Sequence, residues 1–289
     1  MCIELLVRKM FKFNFSDSKD EEEKTGNSKS KLNWLPALEI DVSSALIKRS
    51  HVINNYSVCT EFPGITLNYV SSKELLETLK LKNCYGIIEA ESQHSDLVPA
   101  KYEGGLKIWE CSYDLGKYIM EQCVPLENKL VLDLGCGAGI IGILALLKQA
   151  EVHFQDYNIE VIESFTVPNI LLNVKDDVVK ERCKFYSGDW EAFSQLYSNN
   201  SGRKYDIIFT SETIYNPDNH QKLYNVFKEN LKKGGVAYIA GKIYYFGVGG
   251  CMRQFENLAK KDGIFKTDVV WKCEEGKVKS FNAFDKFFL

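Results

Sequence analysis

Val131 to Gly139 read VLDLGCGAG, an apolar run that ends in an acid and turns at once into glycine. The pattern is that of a strand and a glycine loop, and the apolar run Ile140 to Leu147 after it suits a helix. Glycines at 135, 137 and 139 allow positive φ and let a ligand approach the backbone closely. Asp133 then stands at the carboxyl end of the strand, where open α/β sheets bind ligands, and its charge suits a cationic group.

Three readings of this loop compete. Gly137 to Gly142 (GAGIIG) fits the dinucleotide fingerprint, and the turn could also be purely structural. A carboxylate two residues before the first glycine would repel a pyrophosphate, whereas it suits the amine of S-adenosylmethionine. The chain downstream favours that donor. Glu151 to Gln155 reads as a second strand ending at Asp156, about 20 residues past the loop, the spacing at which an acid meets ribose hydroxyls. A carboxylate can accept both hydrogen bonds of a vicinal diol. Asp156 also precedes a helical segment from about Asn158 to Asn173 and could serve as its N-cap. Cys183 to Ser187 is a third strand; Gly188, Asp189 and Trp190 follow, where an acid and an indole could bracket an adenine or form an ordinary turn.

The elements that must position these residues come mostly after residue 100. From Tyr102 onward strands and helices alternate as in a doubly wound sheet. Tyr205 to Thr210 is a fourth strand, Asn219 to Leu231 an amphipathic helix, Val236 to Ala240 a fifth strand and Arg253 to Lys261 another helix. Phe265 to Trp271 and Lys277 to Phe288 are expected to close the sheet as an antiparallel pair. Three regions follow: a disordered segment over 1–35, an N-terminal extension over 36–100 packing on the core, and a catalytic domain over 101–289. Residues 16 to 33 are rich in Ser, Lys and Glu and poor in aromatics, the composition of disorder. Residues 36 to 98 carry short apolar runs such as Ser57 to Cys59 and Ile65 to Val70, and a short helix is expected over Lys73 to Lys80.

Net charge is −3 and no dense basic face is evident, so free nucleic acid is not the expected partner. Nine scattered cysteines, an odd number without CxxC pairs or zinc spacing, point to reduced thiols in cytosol or nucleus and no metal. No apolar run reaches the roughly 18 residues of a membrane span, and no secretory signal is recognisable.

The strand–loop VLDLGCGAG, Asp156, GDW at 188–190, YDII at 205–208 and LKKGGVAYIA at 231–240 resemble the seven-stranded S-adenosylmethionine-dependent methyltransferases. Glu212 to Tyr215 after the fourth strand resembles the acid-x-x-aromatic motif of the branch that methylates lysine or histidine in folded proteins. YEGGLKIWECS (102–112), HFQDYN (153–158), TSETIYNP (210–217) and YFGVGG (245–250) are similar to the protein-histidine methyltransferases that modify a large-subunit ribosomal protein. MFKFNF (10–15) is similar to the usual start of that family, so the first nine residues are expected to be an extension or a gene-model artefact.

The resemblance implies a Rossmann-like α/β fold with a seven-stranded doubly wound sheet, and S-adenosylmethionine as donor. It implies donor contacts from Ile108, Trp109, Glu110, Cys111 and Ser112, with Trp109 as an aromatic wall. Asp133, Gly135 and Gly137 belong to the methionine end, Gln155, Asp156 and Tyr157 to the ribose, Gly188, Asp189 and Trp190 to the adenine, and Ser211 closes the pocket. It further implies a monomer of cytoplasm and nucleus, including the nucleolus, that methylates the distal (tele) ring nitrogen of a histidine. The chemistry then depends on the acceptor. A lysine, with pKa near ~10.4, must first lose a proton, whereas a histidine, near ~6.5, is mostly neutral already and needs only the right tautomer. Glu212, Tyr215 and Asn216 can accept the other ring N–H, and a carboxylate stabilises the imidazolium product. A lysine methyltransferase of the same branch and a non-catalytic donor-binding assembly factor remain as alternatives.

Overall fold

A computed structural model describes residues 1–8, 11–12, 33–43, 58–92, 97–98 and 100–273. Its main sheet has strands β1 (Cys2–Arg8), β2 (Leu38–Glu39), β3 (Leu130–Leu134), β4 (Glu151–Asp156), β5 (Cys183–Ser187), β6 (Tyr205–Ser211), β7 (Leu231–Lys242) and β8 (Lys266–Lys272). Their order is β8-β1-β7-β6-β3-β4-β5-β2, and every pairing is parallel except that of β2 with β5. The fold is therefore the expected doubly wound Rossmann-like α/β sheet, with eight strands in the sheet instead of seven. Chain order reverses between β3 and β6, and the crevice at their carboxyl ends is the ligand position of such sheets.

Local sequence explains the centre. All five residues of LVLDL in β3 are buried, the signature of a strand covered on both faces. Leu130, Leu132 and Leu134 pack into one layer and Val131 into the other, so by alternation Asp133 shares the side of Val131. The helix Ile140–Leu147 follows directly. Its Gly142 lies so close to the Phe154 ring that a Cβ there would come within 2.1 Å, which is why a glycine holds the helix against the sheet.

Two stretches depart from expectation. Cys2–Arg8, placed by the sequence in the disordered segment, is a strand between β7 and β8, with Ile3, Leu5 and Leu6 buried. A seven-residue strand gives too little periodic signal to stand out beside a long polar tract, but two strand edges satisfy its backbone and its apolar side chains enter both layers. β8 pairs with β1 in parallel; Lys277 to Phe288, expected to pair with it antiparallel, lie outside the described residues, as does most of 16–33.

The region before residue 100 docks through apolar side chains such as Phe62, Leu67 and Leu75, which join the core layer of Val131, and through polar contacts that no periodicity announces. The hairpin Val58–Phe62/Ile65–Tyr69 leads into the helix Ser72–Leu81. The amides of Asn68 and Val70 donate to Asn173 Oδ1 and Asn169 Oδ1, both at 2.8 Å. Phe62 lies against Gly116, where a Cβ would approach its ring to 2.4 Å. The expected helix 158–173 is one helical run with a π turn over Ile162–Thr166. From it Thr166 Oγ1 donates to the Gly137 carbonyl at 2.6 Å and Asn169 Nδ2 to the Ala138 carbonyl at 2.9 Å, clamping the glycine loop.

Candidate active site

A cavity of about 860 Å³ opens at the carboxyl ends of β3, β4 and β6. Of the expected donor residues, Ile108, Trp109, Ser112, Asp133, Gly135, Gly137, Asp156, Tyr157, Asp189, Trp190 and Ser211 line it, as do Glu212 and Tyr215. Gly135 has φ +66°, and a Cβ would meet Thr213 at 2.8 Å, so the loop needs glycine there on both counts. Ser112 and Ser211 share a hydrogen bond of 2.8 Å, which ties the helix Glu110–Glu121 to the end of β6.

The acids at the donor end are held by backbone. Asp133 Oδ2 accepts from Gly142 N at 2.8 Å, and Asp156 Oδ2 accepts from Gly137 N at 2.9 Å. Burial, opposed by these bonds, pushes Asp133 up to about 7 and Asp156 up to about 6. Asp156 is not the helix cap; Asn158 holds that position. Asp189 is an N-cap, with Oδ2 accepting from Glu191 N at 3.0 Å and Oδ1 paired with Lys222 at 2.6 Å.

Five expected residues do not line the cavity. Gln155 is fully buried and braces the next loop, donating to the Gly188 carbonyl at 2.8 Å and accepting from Trp190 Nε1 at 3.1 Å. Gly188 instead packs on the N-terminal extension: a Cβ would come within 2.3 Å of the Pro36 carbonyl oxygen. Cys111 is buried, its thiol pushed up by burial and then by Glu212. Glu110 points to Lys242, at 3.8 Å. Asn216 caps a single turn, accepting from Asp218 N at 3.0 Å.

The cavity also uses residues not expected from the sequence. Trp34 forms its wall at the Asp189 end, under the Lys222 ammonium at 3.5 Å from the ring centroid. Leu35 is pinned beside it, its amide donating to Tyr157 Oη at 3.1 Å and its carbonyl accepting from Asp189 N at 3.0 Å. Glu103, Gly104, Gly105 and Lys107 form another wall; the Gly105 carbonyl lies 3.1 Å from where a Cβ on Gly137 would stand. The YEGGLKIW run marked this segment by resemblance only, since nothing in its pattern tells which side chains turn inward.

At the opposite end the acids are held chiefly by side chains. Glu212 follows β6 with φ +58°, a costly left-handed conformation for a residue with a side chain. Its amide donates to the Ala240 carbonyl at 2.8 Å, and Tyr245 Oη donates to its Oε2 at 2.6 Å. The Nζ of Lys242, only 1% exposed, lies 3.5 Å from Oε1. Tyr215 Oη donates to Glu103 Oε2, and Glu103 Oε1 accepts from Ala100 N at 3.2 Å. Burial raises the Glu103 carboxyl.

The cavity fits S-adenosylmethionine. Two fully buried carboxylates suit an ammonium and a vicinal diol, and would repel the pyrophosphate of a dinucleotide. When bound, this donor supplies an electrophilic methyl on a sulfonium. Sheet, loop and cavity define the class as S-adenosylmethionine-dependent methyltransferase, and residues 99–246 match the family described as lysine methyltransferase. A histidine protein methyltransferase 1 homolog from Bos taurus is 37% identical over a 294-residue alignment, covering 91% of this chain and 78% of its own. The homolog from Dictyostelium discoideum is 49% identical over 166 residues, 57% of this chain and 52% of its own. Within its class, this chain belongs to the histidine protein methyltransferase family and is an enzyme. Among solved structures, a SAM-dependent methyltransferase from Agrobacterium tumefaciens covers 75% of this chain and 61% of its own at a TM-score of 0.48 and 13% identity. Among the described residues no helix is long and apolar enough to cross a membrane, and no cluster of His, Cys, Asp or Glu could hold a metal.

Proposed function

We propose that the enzyme transfers a methyl group to the distal (tele) ring nitrogen of a histidine in a large-subunit ribosomal protein. The observation that carries the histidine reading is the charge of the acceptor end. Glu212 and Glu103 face the space beside the donor cavity, and Lys242 is already paired with Glu212 and Glu110. Carboxylates hold a lysine ammonium in the form that cannot attack, whereas a neutral imidazole attacks directly and its cationic product gains from them. Glu212 is the carboxylate placed to stabilise that charge as it develops. The ribosomal partner and the distal nitrogen are supported by the motifs at 102–112, 153–158, 210–217 and 245–250. They imply a monomeric enzyme of cytoplasm and nucleus, including the nucleolus.

The test is incubation with labelled donor and the large-subunit ribosomal proteins of cells lacking the enzyme, followed by amino-acid analysis. Distal-nitrogen methylhistidine is expected; label confined to lysine would sink the histidine reading in favour of the lysine alternative. Glu212→Gln keeps the size and removes the charge. It should lower kcat by about 10²-fold or more, as for loss of one preorganised stabilising group, and change donor affinity far less.

A further inference from the structure

Beside the donor cavity lies a second, smaller chamber, lined by Leu97, Glu103, Trp109, Glu212, Tyr215 and Tyr245. Glu103, Trp109, Glu212 and Tyr215 line both spaces, so the chamber adjoins the donor cavity along these four side chains. The walls are flat rings and carboxylates, the lining a planar heterocycle with N–H donors would need. Glu212 is buried, and its Oε1 accepts no hydrogen bond, facing the Lys242 ammonium at 3.5 Å. That oxygen's partner is thus a fixed cation, and its Oε2 is taken by Tyr245. Glu103 differs: it stands on the loop ahead of Trp109, and each of its oxygens takes one bond, from Ala100 N and from Tyr215 Oη. A carboxylate has about four acceptor sites, so each oxygen keeps one for a further N–H.

We infer that this chamber seats the acceptor imidazole and that Glu103 chooses which ring nitrogen is methylated. The inference rests on the histidine reading above. The Glu103 carboxylate accepts the N–H of one nitrogen, which fixes the tautomer and turns the other, bare nitrogen toward the donor cavity. The lone pair of that nitrogen forms the new N–C bond to the methyl carbon, while the electron pair of the breaking C–S bond stays on sulfur. The ring becomes a methylated imidazolium that still carries its other N–H. That proton leaves afterwards by way of the Glu103 carboxylate to water, giving neutral methylhistidine. Glu212, with its paired Lys242, supplies charge but does not select the nitrogen.

The readout is the ratio of the two methylhistidine isomers, which a purely structural role for Glu103 would not move. Wild type and Glu103→Leu are given the donor and the large-subunit ribosomal proteins of cells lacking the enzyme, and hydrolysates are resolved into the two isomers. Calorimetry with S-adenosylhomocysteine checks that the variant keeps its donor site. Wild type should give one isomer. Glu103→Leu should give both, with kcat/KM for the acceptor lower by at least about tenfold, the cost of a lost charge-assisted hydrogen bond. If Glu103→Leu makes no product or binds no S-adenosylhomocysteine, Glu103→Asp decides, since it keeps the charge and withdraws it by one methylene. The second isomer should then appear. A single isomer from whichever variant is active, beside a histidine-labelling wild type, overturns the role of Glu103 alone. A wild type that labels no histidine removes the histidine reading and this inference with it.

Discussion

The two ends of the active site hold their acids by opposite means. At the donor end, Asp133 and Asp156 are gripped by amides of the glycine loop and the helix after it, 9 and 19 residues away, in the same βα unit or its neighbour. At the acceptor end, Glu212, Glu103 and Glu110 are gripped by Tyr245, Tyr215 and Lys242, side chains from segments up to 132 residues apart in the chain (Glu110 to Lys242). The first arrangement is a local property of a loop; the second exists only once distant segments are packed. A donor common to many enzymes can be held by backbone, whereas a particular acceptor is recognised by side chains that the rest of the fold must bring in.

The strongest way to break this contrast is at Lys242. Lys242→Met leaves Glu212 buried without its cation and should cost about 3–5 kcal/mol in stability, measured by urea unfolding. A variant as stable as wild type would show that the ion pair does not hold the acceptor end. Asp156→Ala removes the acid proposed to meet the ribose and should weaken donor binding by roughly 1–3 kcal/mol. Calorimetry that finds the same affinity in a folded variant would refute the ribose role.

Titration sharpens the contrast further. The folded values of Asp133 and Asp156, about 7 and about 6, lie above those of an exposed carboxylate. Their contribution to the stability of the ligand-free protein is therefore complete below the unfolded pKa and is lost as pH rises through those values. Binding of a cationic donor favours the ionised acids and runs the other way. Its affinity should fall as pH drops below about 7, by at most about tenfold per unit for each group, and Asp133→Asn should flatten the slope. An affinity independent of pH in the wild type would exclude ionised Asp133 and Asp156 as donor contacts. The smallest effect is expected at Trp34, whose ring forms a cavity wall. Trp34→Ala should weaken donor binding by about 1 kcal/mol, from loss of one aromatic contact, and equal affinity by calorimetry would limit Trp34 to holding the N-terminal segment in place.

What the sequence determined by itself is what short-range physics writes into adjacent residues. The buried run of β3, the glycines after it, the acid ending β4 and the helices Ile140–Leu147 and His220–Asn230 all follow from periodicity and turn chemistry within a dozen residues. So does the donor-binding crevice, because it lies at the ends of those strands. Tertiary structure decided the rest. It placed Cys2–Arg8 inside the sheet, where backbone pairing and burial outweigh a weak local signal. It turned Gln155 and Cys111 away from the cavity and brought Trp34 and Glu103 into it. It also set a buried lysine beside Glu212, an arrangement no spacing could reveal, since a charge is stable there only when its partners arrive from remote parts of the chain.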